Sequence, residues 1–128
     1  MTLGADLPRL RILSFLSADA RTRLEGDPAM LRVLLHIEAK PARAPSEAEA
    51  ARLYGGTILE FCVGFESLDL GRFGPFVWTY RRALAKLWLE ETDLREEVIA
   101  QLVGYSSDAT LSRAYKRSFR AAPRRPRG

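Results

Sequence analysis

The stretch from Val98 to Phe119, VIAQLVGYSSDATLSRAYKRSF, decides the fold. A short helix opening at Thr92 or Asp93 runs through Leu102 and closes at Gly104, because glycine takes the left-handed backbone of a helix end at little cost. Ser107 is a natural N-cap, with a hydroxyl able to accept from an amide of the following turn. The helix it opens extends to about Phe119 and turns Leu111, Ala114 and Tyr115 inward. Two short helices separated by a tight glycine-containing turn have the outline of a helix–turn–helix. Pro123 and Pro126 stop any continuation.

Upstream, the same outline recurs. Phe76 to Leu89 reads as a long helix with Val77, Tyr80, Leu84, Leu87 and Trp88 apolar, preceded by breaks at Gly71 and Gly74-Pro75. Thr57 caps a helix to about Ser67, Gly55-Gly56 breaks the chain before it, and Ser46-Glu47-Ala48-Glu49 is a capping box opening a helix to about Tyr54. Asp27-Pro28 pairs an N-cap with proline at the first helical position, and Met30, Val33, Leu34 and Ile37 then make an apolar stripe that ends before Pro41. Leu7 to Leu16 reads as a first helix with a poor pattern. No stretch alternates cleanly enough to be a strand. The expected fold is all-α, with two helix–turn–helix subdomains joined by a long linker helix in a homeodomain-like arrangement.

The 128 residues suffice for one domain or two small subdomains, and 47% hydrophobic residues exclude a disordered chain. The balance of 20 Lys+Arg against 16 Asp+Glu is unevenly spread. From Ala44 to Tyr80, Arg52 and Arg72 face Glu47, Glu49, Glu60, Glu66 and Asp69. From Ser112 onward come Arg113, Lys116, Arg117, Arg120, Arg124, Arg125 and Arg127 with no acid. Such an end is either a nucleic-acid footprint or a solvated tail. One cysteine, Cys62, excludes a disulfide framework and any paired-cysteine metal or redox site, and the single His36 leaves little for histidine chemistry. No catalytic constellation, metal site or cofactor is expected. No apolar run is long enough for a transmembrane helix, and Ile12 to Leu16 is too short for a secretory leader, so a cytoplasmic protein is expected.

The segment from Ile99-Ala100 through Val103-Gly104-Tyr105-Ser106 and Ser112-Arg113-Ala114-Tyr115-Lys116-Arg117 to Phe119, with Pro123 four residues on, resembles the second helix–turn–helix of the AraC/XylS family of bacterial transcription regulators. The resemblance extends upstream more weakly. Asp27-Pro28 fits the family's first helix, Ser46, Glu49 and Ala51 the helix before the first turn, and Gly55-Gly56-Thr57 the turn itself. Phe61 and Phe65 match its buried aromatics, and Phe76, Arg81, Ala85 and Leu89 the linker helix. The resemblance implies an unassigned segment 1–26, a first, degenerate helix–turn–helix subdomain 27–74, a linker helix 75–90, a second helix–turn–helix subdomain 91–119 and a basic tail 120–128. It leaves no room for the sensor domain that many members carry.

What the resemblance implies for function is a sequence-specific regulator reading the major groove of double-stranded DNA mainly with the helix 107–119. Asp108, Ala109, Ser112 and Arg113 would approach base edges, with Arg113 able to hold guanine O6 and N7 together. Ser107, Lys116, Arg117, Arg120, Arg124 and Arg125 would contact phosphates. The alternative for these charges is a solvated surface.

The first unit departs from the family's pattern. Thr57 to Ser67 contains no Lys or Arg, and with Phe61 and Phe65 inward the outward positions are Ile58, Leu59, Cys62 and Val63, beside Glu60 and Glu66. Apolar groups release no counterions from phosphate, and the carboxylates are repelled by it. The patch is therefore a partner surface, a face buried against residues 1–26, or an altered DNA contact. The alternative function is a degenerate helix–turn–helix protein acting as an interaction module, with RNA polymerase or another regulator as partner and little DNA binding of its own. Oligomeric state is left open.

Overall fold

The computed structural model describes residues 7–119. These contain seven α-helices and two short 3-10 turns, without a strand. The helices are α1 (Ala18–Glu25), α2 (Pro28–Ala39), α3 (Glu47–Tyr54), α4 (Ile58–Glu66), α5 (Phe73–Glu91), α6 (Glu96–Val103) and α7 (Asp108–Phe119), with 3-10 turns at Ile12–Phe15 and Pro41–Arg43. The described residues divide into two compact units, one spanning Arg11–Tyr80 and the other joining residues 7–10 with residues 81–119. Among the described residues no helix is long and apolar enough to cross a membrane.

The caps set the first unit. Asp27 Oδ1 accepts from the Met30 amide at 3.1 Å, and Pro28 sits where no amide is needed. Ser46 with Glu49, and Thr57 with Glu60, both close full capping boxes. Between them Gly55 adopts φ 87°, a left-handed turn that lets the Gly55 and Gly56 amides both donate back to Ala51 O. The core is a chain of aromatic rings. Phe61 and Phe65 of α4 each stand edge-on to Phe73, at 5.1 and 5.3 Å between centroids, and Phe65 continues to Phe76 at 5.6 Å. Edge-to-face pairs of this kind add to the gain from burying the rings. Phe15 joins the same stack, 5.7 Å from Phe76 and 5.8 Å from Tyr80.

Phe15 brings the N-terminal segment into the fold, so the first unit begins at Arg11, well ahead of Asp27. Ile12 is fully buried, and its amide donates to Glu38 Oε1 at 2.7 Å. The helix expected over Leu7–Leu16 is only the turn Ile12–Phe15, because that amide is committed to α2 instead of to a preceding carbonyl. An unexpected helix, α1, follows: Ser17 caps it by accepting from the Ala20 amide, and only Ala20 and Leu24 are buried along it. At the other end of the unit, Arg23 donates to Ser67 O at 2.6 Å and pairs with Asp69.

The second unit packs Leu84, Ala85, Trp88 and Leu89 of α5 with Ile99, Ala100 and Val103 of α6 and Leu111 and Tyr115 of α7. Trp88 Nε1 donates to Pro8 O at 2.9 Å, which fastens the N-terminal strand of chain to this unit. Two boundaries differ from expectation. Helix α5 starts at Phe73 instead of Phe76, since Gly74 and Pro75 fall in its first turn, where proline lacks nothing the helix needs. Helix α6 starts at Glu96, later than Thr92 or Asp93, because the Thr92 hydroxyl donates to Trp88 O and closes α5.

Two consequences can be measured. Truncating the fully buried Phe65 to alanine should cost about 3–5 kcal/mol in urea unfolding. The Thr57 amide first, and its hydroxyl second, hold the Glu60 carboxyl below its usual value, so the stabilisation is present at neutral pH and lost as pH falls through that lowered value. Glu60→Gln should therefore be less stable than the parent near neutrality, and the gap should close in acid.

Candidate nucleic-acid interface

Helix α7 has two opposite faces. Leu111 and Tyr115, four residues apart, are buried at 0% and 7% exposure. The Tyr115 ring stacks 4.5 Å from Phe119, over which Lys86 Nζ stands at 6.0 Å while it pairs with Glu90. The tight turn before α7 is built by Gly104 at φ 106°, with the Gly104 and Tyr105 amides both donating to Ala100 O. Ser107 Oγ accepts from the Thr110 amide at 3.1 Å, which confirms the cap and engages the hydroxyl expected at phosphate.

On the outward face, Ser107, Asp108, Ala109, Arg113, Lys116 and Arg117 are exposed and Ser112 is half-buried. Successive positions 109, 113, 116 and 117 fall on one strip of an α-helix. Asp108 Oδ1 accepts from its neighbour Ala109 amide at 3.0 Å, so part of its acceptor capacity is used locally at the helix start. Among the described residues Arg113, Lys116 and Arg117 take part in no ion pair. Burial pushes the Tyr105 hydroxyl above its usual value, and Arg82, Arg81 and Arg117 pull against that shift. Arg81 itself is buried, and burial lowers its value from that of a free guanidinium. Arg120, Arg124 and Arg125 lie outside the described residues.

Helix α4 of the first unit is built in the same way and exposes the opposite chemistry. Phe61 and Phe65 are fully buried, while Ile58, Leu59 and Val63 are 48%, 72% and 61% exposed and Cys62 is half-buried. Burial of this face against residues 1–26 is thereby corrected for the described part of that segment: the turn at Ile12–Phe15 and helix α1 pack on α2 instead. Gly64 belongs to the packed side. A Cβ there would stand 3.1 Å from Met30 Cε and 3.3 Å from the Tyr54 hydroxyl, so the helix accepts a weak former to let α2 and α3 approach. Burial first, and then the Glu47 carboxylate, push the Cys62 thiol up, away from reactive thiolate. Glu47, read in the sequence only as a cap residue, lines with Glu66 and Arg72 a groove that begins at Cys62. Nothing in the local sequence signals that groove, because it joins three separate elements. Among the described residues no group of three or more His, Cys, Asp or Glu side chains is placed to hold a metal ion.

No protein-family model matches the sequence, and no curated protein is significantly similar to it. Solved structures are similar in fold. A transcriptional regulator from Chromobacterium violaceum with an AraC-type DNA-binding domain superposes with a TM-score of 0.68 at 19% identity, over 78% of this chain and 89% of that one. The C-terminal domain of the two-component response regulator yesN from Fusobacterium nucleatum gives 0.64 at 18% identity, over 75% and 94%. The C-terminal domain of AraT, a response regulator from Geobacillus stearothermophilus, gives 0.62 at 19%, over 84% and 82%. At these identities the likeness is one of fold: this chain has the all-helical fold of AraC-type DNA-binding domains.

Because Leu59 and Val63 face solvent, changing each to serine should alter unfolding free energy by no more than about 0.5 kcal/mol. A much larger loss in urea titrations would mean that this face is covered.

Proposed function

We propose that this chain is a DNA-binding transcription regulator that contacts duplex DNA chiefly through α7. The observation that carries the reading is the outward strip of α7, where Arg113, Lys116 and Arg117 project opposite a face anchored by Leu111 and Tyr115. A helix anchored from behind in this way suits insertion into the major groove. Asp108, Ala109, Ser112 and Arg113 occupy the N-terminal turns, which approach base edges. Arg113 makes the bidentate contact with guanine, Ala109 meets a thymine methyl, and Asp108 accepts from a cytosine amino group. Lys116 and Arg117, one turn further on, meet phosphate, as does the Ser107 end of the helix, where the positive end of the helix dipole favours an anion. Arg120, Arg124 and Arg125 extend the same basic run in the sequence. The family likeness, in which regulators of this fold carry AraC-type DNA-binding domains, supports the reading. A cytoplasmic location follows from the same role.

A second reading is favoured by one observation, the apolar outward face of α4. Ile58, Leu59, Cys62 and Val63 suit a protein partner better than phosphate. On this reading the chain is an interaction module that acts on RNA polymerase or another regulator. The two readings are compatible if the units divide the work, α7 for DNA and α4 for a partner.

Binding to duplex DNA over a salt series separates them. Contact with phosphates predicts affinity falling steeply as salt rises, by about 0.9 in the logarithmic slope per phosphate contact. Arg113→Ala should cost about 1–3 kcal/mol and relax preference at one base position, whereas Lys116→Ala should weaken all sequences alike and reduce the slope by about one. Absence of binding at low salt would leave only the second reading.

A further inference from the structure

The strip on α4 has a defined surrounding. Ile58, Leu59 and Val63 lie along one side of the helix, and Cys62 at their edge opens into a groove of about 280 Å³. Phe65 and Phe73 form its floor, and Glu47, Glu66 and Arg72 its walls. Glu60 stands at the N-terminal end of the same helix, exposed. Three carboxylates against one guanidinium leave the border of the apolar strip negative.

That charge selects among occupants. Duplex DNA and an anionic lipid surface would both meet like charge with no basic side chain on α4 to offset it. A second copy docking through the same face would be two-fold symmetric and would bring Glu60 and Glu66 of both chains together. An apolar surface with a basic border is the complement. We infer that the α4 strip and its groove dock an amphipathic helix of another protein, whose apolar side chains cover Ile58, Leu59 and Val63 and whose Lys or Arg enters between Glu47 and Glu66. Helices that bind in this manner present anchors at positions i, i+3 or i+4, and i+7, which matches the length of a two-turn strip. The inference rests on reading α4 as a protein-contacting surface.

The test uses the full chain and a labelled helical peptide with leucine along one face and arginine on both flanks, compared by fluorescence anisotropy with the same peptide carrying glutamate flanks. The arginine peptide should bind at least tenfold more tightly than the glutamate one. Leu59→Ser with Val63→Ser should weaken it at least tenfold, and Glu47→Lys with Glu66→Lys should reverse the preference. DNA affinity should stay within twofold of the parent in both double variants. Should the lysine pair fail to fold, Glu47→Gln with Glu66→Gln should abolish discrimination between the peptides. Unchanged discrimination in the charge variants would overturn the basic partner while leaving the docking surface. Loss of DNA affinity in the serine pair would overturn the reading beneath it. A concentration-dependent dimer lost in the serine pair, without peptide binding, would make a second copy the occupant, and failure of both peptides to bind would overturn the inference outright.

Discussion

The burial of two aromatic rings four residues apart, Phe61 and Phe65, fixes how helix α4 is rotated, and the properties of the first unit follow from it. Both rings are fully buried and locked edge-on against Phe73, with Phe76 and Phe15 extending the stack. A helix pinned by positions one turn apart has no freedom to turn its other side away from solvent. Ile58, Leu59 and Val63 are exposed because Phe61 and Phe65 are not. Rotating them inward would expose the rings, at a cost in apolar burial larger than the gain.

Helix α7 obeys the same rule with Leu111 and Tyr115 in the pinning positions. The two helices therefore offer a direct comparison: equal architecture, each preceded by a glycine in the left-handed conformation and a hydroxyl cap, and unlike outward faces. One carries Arg113, Lys116 and Arg117, the other apolar side chains bordered by carboxylates. The fold supplies the same helix geometry twice, and the choice of outward side chains decides what each helix is able to touch. Net charge over the whole chain, +4, conceals this division.

Much of this was legible in the sequence because its signals are local. The capping boxes at Ser46 and Thr57, the proline after Asp27 and the glycines at 55 and 104 are each read within four residues, and the structure places helices where they point. The orientation of α4 was legible too, since aromatic spacing reveals the inward face. What escaped depends on distant partners. The turn at Ile12–Phe15 owes its form to Glu38, and α1 carries too few apolar residues to show a stripe. Thr92 looks like a helix start until its hydroxyl is seen to close α5 at Trp88. The groove beside Cys62 joins the ends of α3 and α5 to α4, and no local pattern encodes such a meeting.

On the proposed function, one of two similar helices reads DNA and the other does not. Selection of bound sequences from a random duplex library, using the full chain, tests it most directly. A single short conserved block, of the length one recognition helix covers, is the expected result if α7 alone reads DNA. Two unlike conserved blocks about one turn of duplex apart, roughly 10 base pairs between centres and occupied by a single copy of the chain, would contradict it, because the second reading helix in that copy would then have to be α4.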